Sequence, residues 1–120
     1  MFKNLKKTLL IAEACENHFG NLKNAKKMVI QAKKSGADYV KFQHHIPDDE
    51  MLKSVPKSKN FKTNLYNFLK KNSLKIKQHE ILKKYCEKNK IKYLCTPFCL
   101  KAAHELDEIG VDMFKVGSGE

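Results

Sequence analysis

Short apolar runs alternate along the chain with segments whose apolar residues recur every three or four positions. The first pattern is typical of buried strands, and the second is typical of helices with one apolar face. Asn21 can cap such a helix, and Gly36 can end it in the left-handed conformation. The predicted strands are 8–13, 38–43, 91–95 and 112–116; the predicted helices are the segment between Asn21 and Gly36, a short one around 61–69, then 75–88 and 100–109.

The order of these elements is β-α-β-(α)α-β-α-β, which predicts an α/β fold with a parallel sheet covered by helices. A complete (β/α)8 barrel needs about 250 residues. The 120 residues of this chain therefore supply four strands. The pattern leaves two architectures open: an open four-stranded sheet, or the first four βα units of a (β/α)8 TIM barrel.

One unit of sequence occurs twice. Residues 36–43 read Gly-Ala-Asp-Tyr-Val-Lys-Phe-Gln, and residues 110–117 read Gly-Val-Asp-Met-Phe-Lys-Val-Gly. Each copy ends a helix with glycine and places a lysine, Lys41 or Lys115, in an apolar strand. A lysine in a buried strand is costly unless an anionic group meets it. Two lysines at equivalent points therefore predict that two cations converge on one acidic ligand.

Polar side chains stand at the carboxyl end of every predicted strand. In parallel α/β folds the ligand site lies at this edge of the sheet. The candidate site residues by position are Glu13, Lys41, Gln43, Thr96, Lys115 and Ser118.

The formal net charge is +11, and its 24 basic residues are all lysines. Because arginine is the usual reader of guanine edges and the usual bidentate phosphate ligand, nucleic acid is not an expected partner. The lysines lie mostly on polar helix faces, where a solvated surface is the simpler interpretation. Anionic small molecules remain compatible with this charge.

The four cysteines lack the spacing of a secreted disulfide scaffold and are interpreted as free thiols in a reducing cytoplasm. Cys95 and Cys99 flank a strand end without a second pair, which disfavours a zinc site. No apolar stretch reaches the length of a membrane span. A soluble, cytoplasmic protein with no membrane partner is expected.

The histidines are interpreted individually. His18 is expected to bond to backbone in its loop. His44 and His45 are adjacent on a strand, so they are expected to point to opposite faces, which disfavours a shared metal site. His79 and His104 are expected to face solvent from their helices, whereas the helix at 75–88 is expected to bury Ile81, Leu82, Tyr85 and Cys86. The polar connection 44–60, with the acidic residues 48–50, is long enough to suggest a functional or mobile loop.

Four ordered motifs together resemble the N-acetylneuraminate (sialic acid) synthase family. The resemblance runs from about Leu9 to Glu120 in the order and spacing of that family, and the segment 46–51 (Ile-Pro-Asp-Asp-Glu-Met) adds to it. The motifs are Ile-Ala-Glu at 11–13 with Asn-His-Phe-Gly at 17–20, the unit at 36–43, Cys-Thr-Pro-Phe at 95–98, and Phe-Lys-Val-Gly-Ser-Gly-Glu at 114–120.

The resemblance implies a TIM-barrel transferase that condenses phosphoenolpyruvate with N-acetylmannosamine or a related N-acyl amino sugar and releases phosphate. It implies a divalent metal, Mn or Mg, that activates the sugar aldehyde, and a homodimer as the complete enzyme. A synthase for legionaminate, pseudaminate or a spore-coat polysaccharide is the alternative within the same chemistry.

Carried over by motif, the resemblance assigns one set of residues to each substrate. Lys41, Thr96, Lys115 and Ser118 match positions that hold phosphoenolpyruvate. Glu13, Gln43 and Phe98 match positions at the sugar. Glu120 matches a carboxylate close to the reacting carbons, so Glu13 and Glu120 are the catalytic candidates.

The match also implies what this chain lacks. The metal-binding histidines of the family lie past residue 120, so no metal ligand is expected in this chain. Residues 1–120 are interpreted as the N-terminal half of the barrel domain, without its C-terminal half or an antifreeze-like domain. Such a fragment is expected to be inactive alone. The alternative of another class is a non-catalytic half barrel that self-associates or binds a phosphorylated metabolite, and cooperative unfolding of the isolated chain would favour it.

Overall fold

A computed structural model describes residues 7–118 of the chain, which form three parallel strands and five helices. In chain order the elements are β1 Ile11–Cys15, α1 Leu22–Lys34, β2 Tyr39–His44, α2 Pro47–Glu50, α3 Leu65–Asn72, α4 Ile76–Lys88, β3 Lys92–Pro97 and α5 Leu100–Glu108. The predicted α/β class and parallel strands are confirmed. The long connection after β2 contains α2, a single helical turn.

The helix ends follow local chemistry. Asn21 caps α1 by accepting a hydrogen bond from the N–H of Asn24. Gly36 and Gly110 adopt φ values of +82° and +73°, as the predicted helix stops require. These two glycines turn the chain sharply from a helix into the strand or extended segment that follows.

The sheet has the order β1-β2-β3, with β2 in the centre. Glu13 pairs with Lys41, Lys41 with Leu94, and Gln43 with Thr96. A bulge between Glu13 and Cys15 shifts the register, and Cys15 has a φ of +49° there. The bulge precedes the last pair of the β1 ladder, Cys15 with Phe42, near the polar end of the strand, a common arrangement next to binding sites.

The prediction of a fourth strand at 112–116 is wrong. The segment makes one parallel bridge, between Cys95 and Phe114, and the N–H of Lys115 donates to the carbonyl of Cys95 at 3.0 Å. Its apolar side chains are exposed, at 38% for Phe114 and 73% for Val116. Among residues 7–118, this segment continues the parallel order next to β3 through that one bridge and does not form a ladder.

Helices α1, α4 and α5 cover one face of the sheet. The core between them takes alternate residues of the strands, together with Val29, Leu82 and Leu106 from the helices. The other alternate residues of β2 and β3 point away from these helices.

Two side chains of α4 were predicted on the wrong faces. Ile81 was expected inside but is 43% exposed, whereas His79 was expected in solvent and is fully buried. The buried stripe of α4 is His79, Leu82 and Cys86. His79 fits this stripe because its Nδ1 shares a hydrogen bond of 2.7 Å with the hydroxyl of Tyr93. His104 is exposed, as predicted.

All four cysteines are free thiols, as predicted. No helix between residues 7 and 118 is long and apolar enough to cross a membrane.

Candidate active site

The face of the sheet opposite the helices carries the predicted site residues. Side chains alternate along a strand, so Lys41, Gln43 and His45 share one face of β2 and its extension. The register puts Thr96 of β3 beside Gln43 on this face. The bridge at Phe114 places Lys115 beside Thr96 in the same way. Three neighbouring chain segments therefore present polar groups at one carboxyl edge.

Lys41 and Glu13 form an ion pair across β1 and β2, with 2.5 Å between Nζ and Oε1. The lysine side chain is 6% exposed, whereas the glutamate side chain is 62% exposed. A buried ammonium needs an anionic partner, and Glu13 supplies it. The hydrogen bond from Lys41, with its charge, lowers the pKa of Glu13, and the charge of Lys115 lowers it further. Glu13 is therefore a carboxylate that solvent can reach.

Thr96 contributes a buried hydroxyl next to these charges. The residue is 2% exposed, and its Oγ1 has no hydrogen-bond partner among residues 7–118. Buried hydroxyl groups in proteins are almost always hydrogen-bonded. An unpaired donor beside two lysines is suited to an anionic oxygen. We call Glu13, Lys41, Thr96 and Lys115 the charged cluster.

The remaining predicted site residues differ in how the structure places them. Phe98 follows β3 and stacks on the ring of His45, with 4.1 Å between centroids and 17° between planes. Gln43 lies 3.4 Å from the same ring, measured from its Oε1 to Nε2 of His45. Ser118 is exposed in a turn near the end of the described residues. Glu120 lies outside the described residues.

Two residues of this region were missed from the sequence as site residues. His45 contacts both Gln43 and Phe98, and its Nδ1 lies 2.8 Å from a carboxylate oxygen of Glu50. The alternation along β2, from Lys41 through Gln43 to position 45, is the signal that could have found His45. Glu50 reaches the site only because α2 folds back toward the end of β2.

A second buried polar group lies on the helix side, which we call the neutral cluster: Glu16, His18, His79 and Tyr93. Burial raises the pKa of Glu16 to about 8, with a smaller contribution from the charge of Glu50. Burial lowers the pKa of His18 to about 4. Glu16 and His18 approach to 3.8 Å but, at neutral pH, both are uncharged, so they do not form an ion pair.

The hydrogen bonding of His18 agrees with its neutral state. Its Nδ1 accepts a hydrogen bond of 3.0 Å from the N–H of Gly20, as expected of a loop histidine that bonds to backbone. A nitrogen that accepts a hydrogen bond carries no proton. Burial also lowers the pKa of His79 strongly.

His44 and His45 point to opposite faces, as predicted. His44 faces the helices, where its Nε2 lies 2.7 Å from Glu105 of α5 and its ring packs on His79 at 4.7 Å. Burial lowers the pKa of His44, and the hydrogen bond with Glu105 partly opposes this. A cavity of about 310 Å³ lies next to His44, lined mainly by the connection after β2 and by α3.

No three histidine, cysteine or acidic side chains of residues 7–118 converge in a way that could hold a metal ion. His44 and His45 diverge, and the carboxylates of Glu50 and Glu105 are each already paired with one of these rings. The described residues therefore do not fit a metal site.

A cavity of about 500 Å³ opens at the opposite end of the sheet, lined by residues such as Tyr39, Lys92, Val111 and Met113. None of the residues predicted for the site lines it. The predicted site residues lie instead at the carboxyl edge of the sheet.

Comparison with known proteins decides the family. The NeuB family model matches residues 28–120 of the chain. This chain belongs to the NeuB family. The predicted resemblance to sialic acid synthases is thereby confirmed.

Relatives in the NeuB family are named as synthases of nonulosonic acids. The N,N'-diacetyllegionaminic acid synthase of Campylobacter jejuni is 38% identical, covering 97% of this chain and 36% of the relative. That of Legionella pneumophila is 37% identical, covering 92% and 33%. The solved N-acetylneuraminic acid (sialic acid) synthetase of Leptospira borgpetersenii, in complex with citrate, is 28% identical, with a TM-score of 0.77 over 97% of this chain and 40% of that chain. This NeuB chain thus spans about a third of the length of the curated relatives it matches.

Proposed function

We propose that this chain forms the phosphoenolpyruvate-binding part of a nonulosonic acid synthase. The enzyme condenses phosphoenolpyruvate with N-acetylmannosamine or a related N-acyl amino sugar and releases phosphate. The observation that carries the proposal is the charged cluster: a buried lysine whose only anionic partner among residues 7–118 is exposed, beside an unpaired threonine hydroxyl and a second lysine.

Phosphoenolpyruvate carries a carboxylate and a phosphate, so it needs fixed cations and hydrogen-bond donors. Lys41 is held by the sheet and sheltered from water, where its charge acts more strongly than in solution. Lys115 and the hydroxyl of Thr96 are the neighbouring donors. Ser118 is assigned to the same substrate by its motif.

Glu13 has a different part in this proposal. Without ligand it neutralises Lys41; with phosphoenolpyruvate bound, the lysine has a second anionic partner, and Glu13 can accept hydrogen bonds from sugar hydroxyls. Its lowered pKa keeps it an acceptor. Gln43 and Phe98 lie toward the end of the strands, where the amide can bind the N-acyl group and the ring can pack against the sugar.

The reaction forms a carbon–carbon bond and a carbon–oxygen bond to water, and it breaks the carbon–oxygen bond to phosphate. Of the two protons of that water, one ends on the new sugar hydroxyl and the other on the released phosphate. Carbon 3 of phosphoenolpyruvate attacks the aldehyde carbon of the open-chain sugar, whose oxygen takes a proton to become a hydroxyl. Water adds to carbon 2, giving a tetrahedral intermediate that expels phosphate by cleavage of its carbon–oxygen bond. Glu120 is assigned next to the reacting carbons by its motif alone.

We further propose that the three strands and the segment 112–116 are the first βα units of a (β/α)8 barrel in a homodimeric enzyme. The fit to a solved sialic acid synthetase supports this assignment. The polar edge then becomes part of the mouth of the barrel, where active sites of this fold lie.

A doubly N-acetylated, legionaminic-type sugar is the second candidate acceptor. It is favoured by the two relatives at 38% and 37% identity, both named N,N'-diacetyllegionaminic acid synthases. Both candidates use the same anion site and differ only at the sugar.

The test is phosphate release by the protein as its own cell produces it. It is incubated with phosphoenolpyruvate and each of several N-acylated six-carbon amino sugars, with Mn or Mg present. We expect release that depends on the sugar. Absence of release with every sugar would overturn the proposed reaction.

A further inference from the structure

The acidic run 48–50, which follows β2, contains two exposed side chains and one buried one. Asp48 pairs with Lys70 of α3. Asp49 lies 3.5 Å from Lys101 of α5, and both aspartate side chains are nearly half exposed. The side chain of Glu50, in contrast, is 5% exposed and faces the end of β2. The contacts of the buried member of this run therefore differ from those of its two neighbours.

Both carboxylate oxygens of Glu50 bind groups at the end of β2. Oε1 accepts the backbone N–H of Ile46, and Oε2 lies 2.8 Å from Nδ1 of His45. A carboxylate oxygen accepts hydrogen bonds, so the ring of His45 turns its Nδ1 toward Glu50. The side chain of His45 is itself only 6% exposed. Glu50 thus holds the ring of His45 in one orientation.

The ring of His45 in turn stacks on Phe98, which follows β3. The two centroids are 4.1 Å apart, and the ring planes differ by 17°. The N–H of Phe98 also donates to the carbonyl of His44 at 3.3 Å, so its backbone is tied to β2. A nearly parallel stack fixes the plane of a ring, because rotation of either ring breaks the contact. Phe98 is half-buried, so part of this fixed ring reaches the surface.

We infer that Glu50 is a positioning residue for Phe98 and that it acts through the ring of His45. The plane of Phe98 is the apolar surface against which the sugar of the proposed reaction packs. The inference rests on the proposed function, because the motif assigns Phe98 to the sugar, but the contacts among the three side chains do not depend on it. Lys41, in the charged cluster, is assigned to phosphoenolpyruvate. A change at Glu50 should therefore affect the sugar and spare phosphoenolpyruvate.

Glu50→Gln is the variant that tests this chain of contacts. It leaves one acceptor oxygen for two donors, the N–H of Ile46 and Nδ1 of His45. The ring of His45 is then no longer held, and its stack on Phe98 should weaken. A second variant, His45→Asn, keeps a side-chain N–H donor for Glu50 but removes the ring that stacks.

Two other carboxylates supply matched controls. Asp49→Asn makes the same chemical change one position away, in the same turn. Glu105→Gln changes the carboxylate that pairs with a ring nitrogen of His44 at 2.7 Å, but on the helix side of the sheet. Each control removes one charged partner and leaves the contact between His45 and Phe98 in place.

The first measurement needs no substrate. Histidine rings labelled with carbon-13 are observed by NMR at one fixed pH, in the protein as its own cell makes it, and His45→Asn identifies the signal of His45. A proton over the face of Phe98 is shifted upfield. We expect this shift to be lost in Phe98→Leu, reduced in Glu50→Gln and kept in Asp49→Asn and Glu105→Gln. A His45 signal that does not move in Glu50→Gln would overturn the inference, whatever the enzyme assay shows.

The second measurement separates positioning from general structure. With N-acetylmannosamine as the probe, Glu50→Gln should raise the KM for the sugar about tenfold, the effect of one hydrogen bond, and leave the KM for phosphoenolpyruvate within about twofold. His45→Asn should do the same. Both controls should leave the two KM values within about twofold of the wild type. Equal changes in the two KM values of Glu50→Gln would show a structural role only and would overturn the inference.

Urea unfolding shows whether each variant is folded. If Glu50→Gln does not fold, the comparison rests on His45→Asn and Phe98→Leu, and a His45 signal unchanged in folded Phe98→Leu would show that the stack is absent. A wild-type protein with no phosphate release would count against the proposed function instead, and the NMR result would still decide whether Glu50 holds the ring.

Discussion

The charged cluster buries a lysine and the neutral cluster buries a glutamate, yet only the lysine faces a side chain of opposite charge. In the charged cluster, Lys41 is buried but Glu13 lies 2.5 Å away. In the neutral cluster, Glu16 is also buried and meets no cation among residues 7–118, so burial raises its pKa to about 8. Burial alone therefore does not decide whether a side chain is ionised. An oppositely charged side chain on the neighbouring element also decides it.

The difference also separates binding from packing. A charge that is balanced by an exposed partner can be taken over by a ligand, whereas a neutralised group can only support the core. We therefore expect variants of the charged cluster to affect activity more than stability, and variants of the neutral cluster to do the reverse.

The largest expected effect is on the charged cluster. Lys41→Met should lower kcat/KM for phosphoenolpyruvate by about 10²- to 10³-fold, the usual cost of removing one fixed electrostatic donor. Its free energy of unfolding should exceed that of Glu13→Gln, because only the latter leaves a buried lysine without its carboxylate. Steady-state kinetics and urea unfolding measure the two effects. Lys88→Met, at an exposed lysine of α4, is the matched control. If Lys41→Met retained its activity, the buried charge of Lys41 would not serve the binding of phosphoenolpyruvate.

The next effect is the pH dependence of stability through the neutral cluster. The pKa of Glu16 is about 8 in the folded protein against an ordinary value of 4.5. Its contribution to the free energy of unfolding is therefore fully present below pH 4.5 and is lost as pH rises from 4.5 to 8. The pKa of His18 is about 4 against 6.5, so its contribution is lost as pH falls from 6.5 to 4.

Between pH 6.5 and 8, therefore, only Glu16 of these two groups lowers stability as pH rises. We expect a decrease of roughly 2 kcal/mol over this interval, at about 1.4 kcal/mol per pH unit. Glu16→Gln should abolish the decrease. Urea unfolding at several pH values checks this, and an unchanged slope in Glu16→Gln would show that Glu16 ionises normally in the fold.

A smaller loss of stability is expected from Tyr93→Phe. It removes the hydroxyl that shares a hydrogen bond with His79 and leaves a buried nitrogen unpaired. The expected cost is about 1–3 kcal/mol, with kcat/KM unchanged. Thermal unfolding and the phosphate assay measure both. A loss of activity without a loss of stability would place this pair in the active site instead.

The smallest structural effect is expected at Thr96. Thr96→Val keeps the shape and removes a buried hydroxyl that has no partner among residues 7–118. Stability should stay within about 1 kcal/mol of the wild type or increase, while kcat/KM for phosphoenolpyruvate falls about tenfold. Thr96→Ser should retain activity. If Thr96→Val instead destabilises strongly with activity intact, the hydroxyl serves the fold.

Much of the fold could be predicted because its signals are local. Gly36 and Gly110 end helices for the steric reason that their φ values are positive, and Asn21 caps α1 through its own side chain. The segment at 112–116 could not be judged this way. Its pattern is that of a strand, but how many bridges it makes depends on how closely it lies along β3, which the local pattern does not give.

Which side chains of a helix are buried could not be predicted from the local pattern alone either. Ile81 is apolar and His79 is polar, so local pattern puts the first inside and the second outside, against what the structure shows. Tyr93, on β3, supplies the hydrogen bond that makes the buried histidine acceptable.

The sequence by itself determined the order of three strands and the longer helices, the parallel sheet, the family, and the row of polar residues at the strand ends, because these depend on periodicity and on motifs read in order. Tertiary structure decided the partners: Lys41 with Glu13, His45 with Glu50, and, among residues 7–118, no cation for Glu16. Ionisation and side-chain orientation follow from these contacts, since desolvation and hydrogen bonding act through space between residues that can be far apart in the chain.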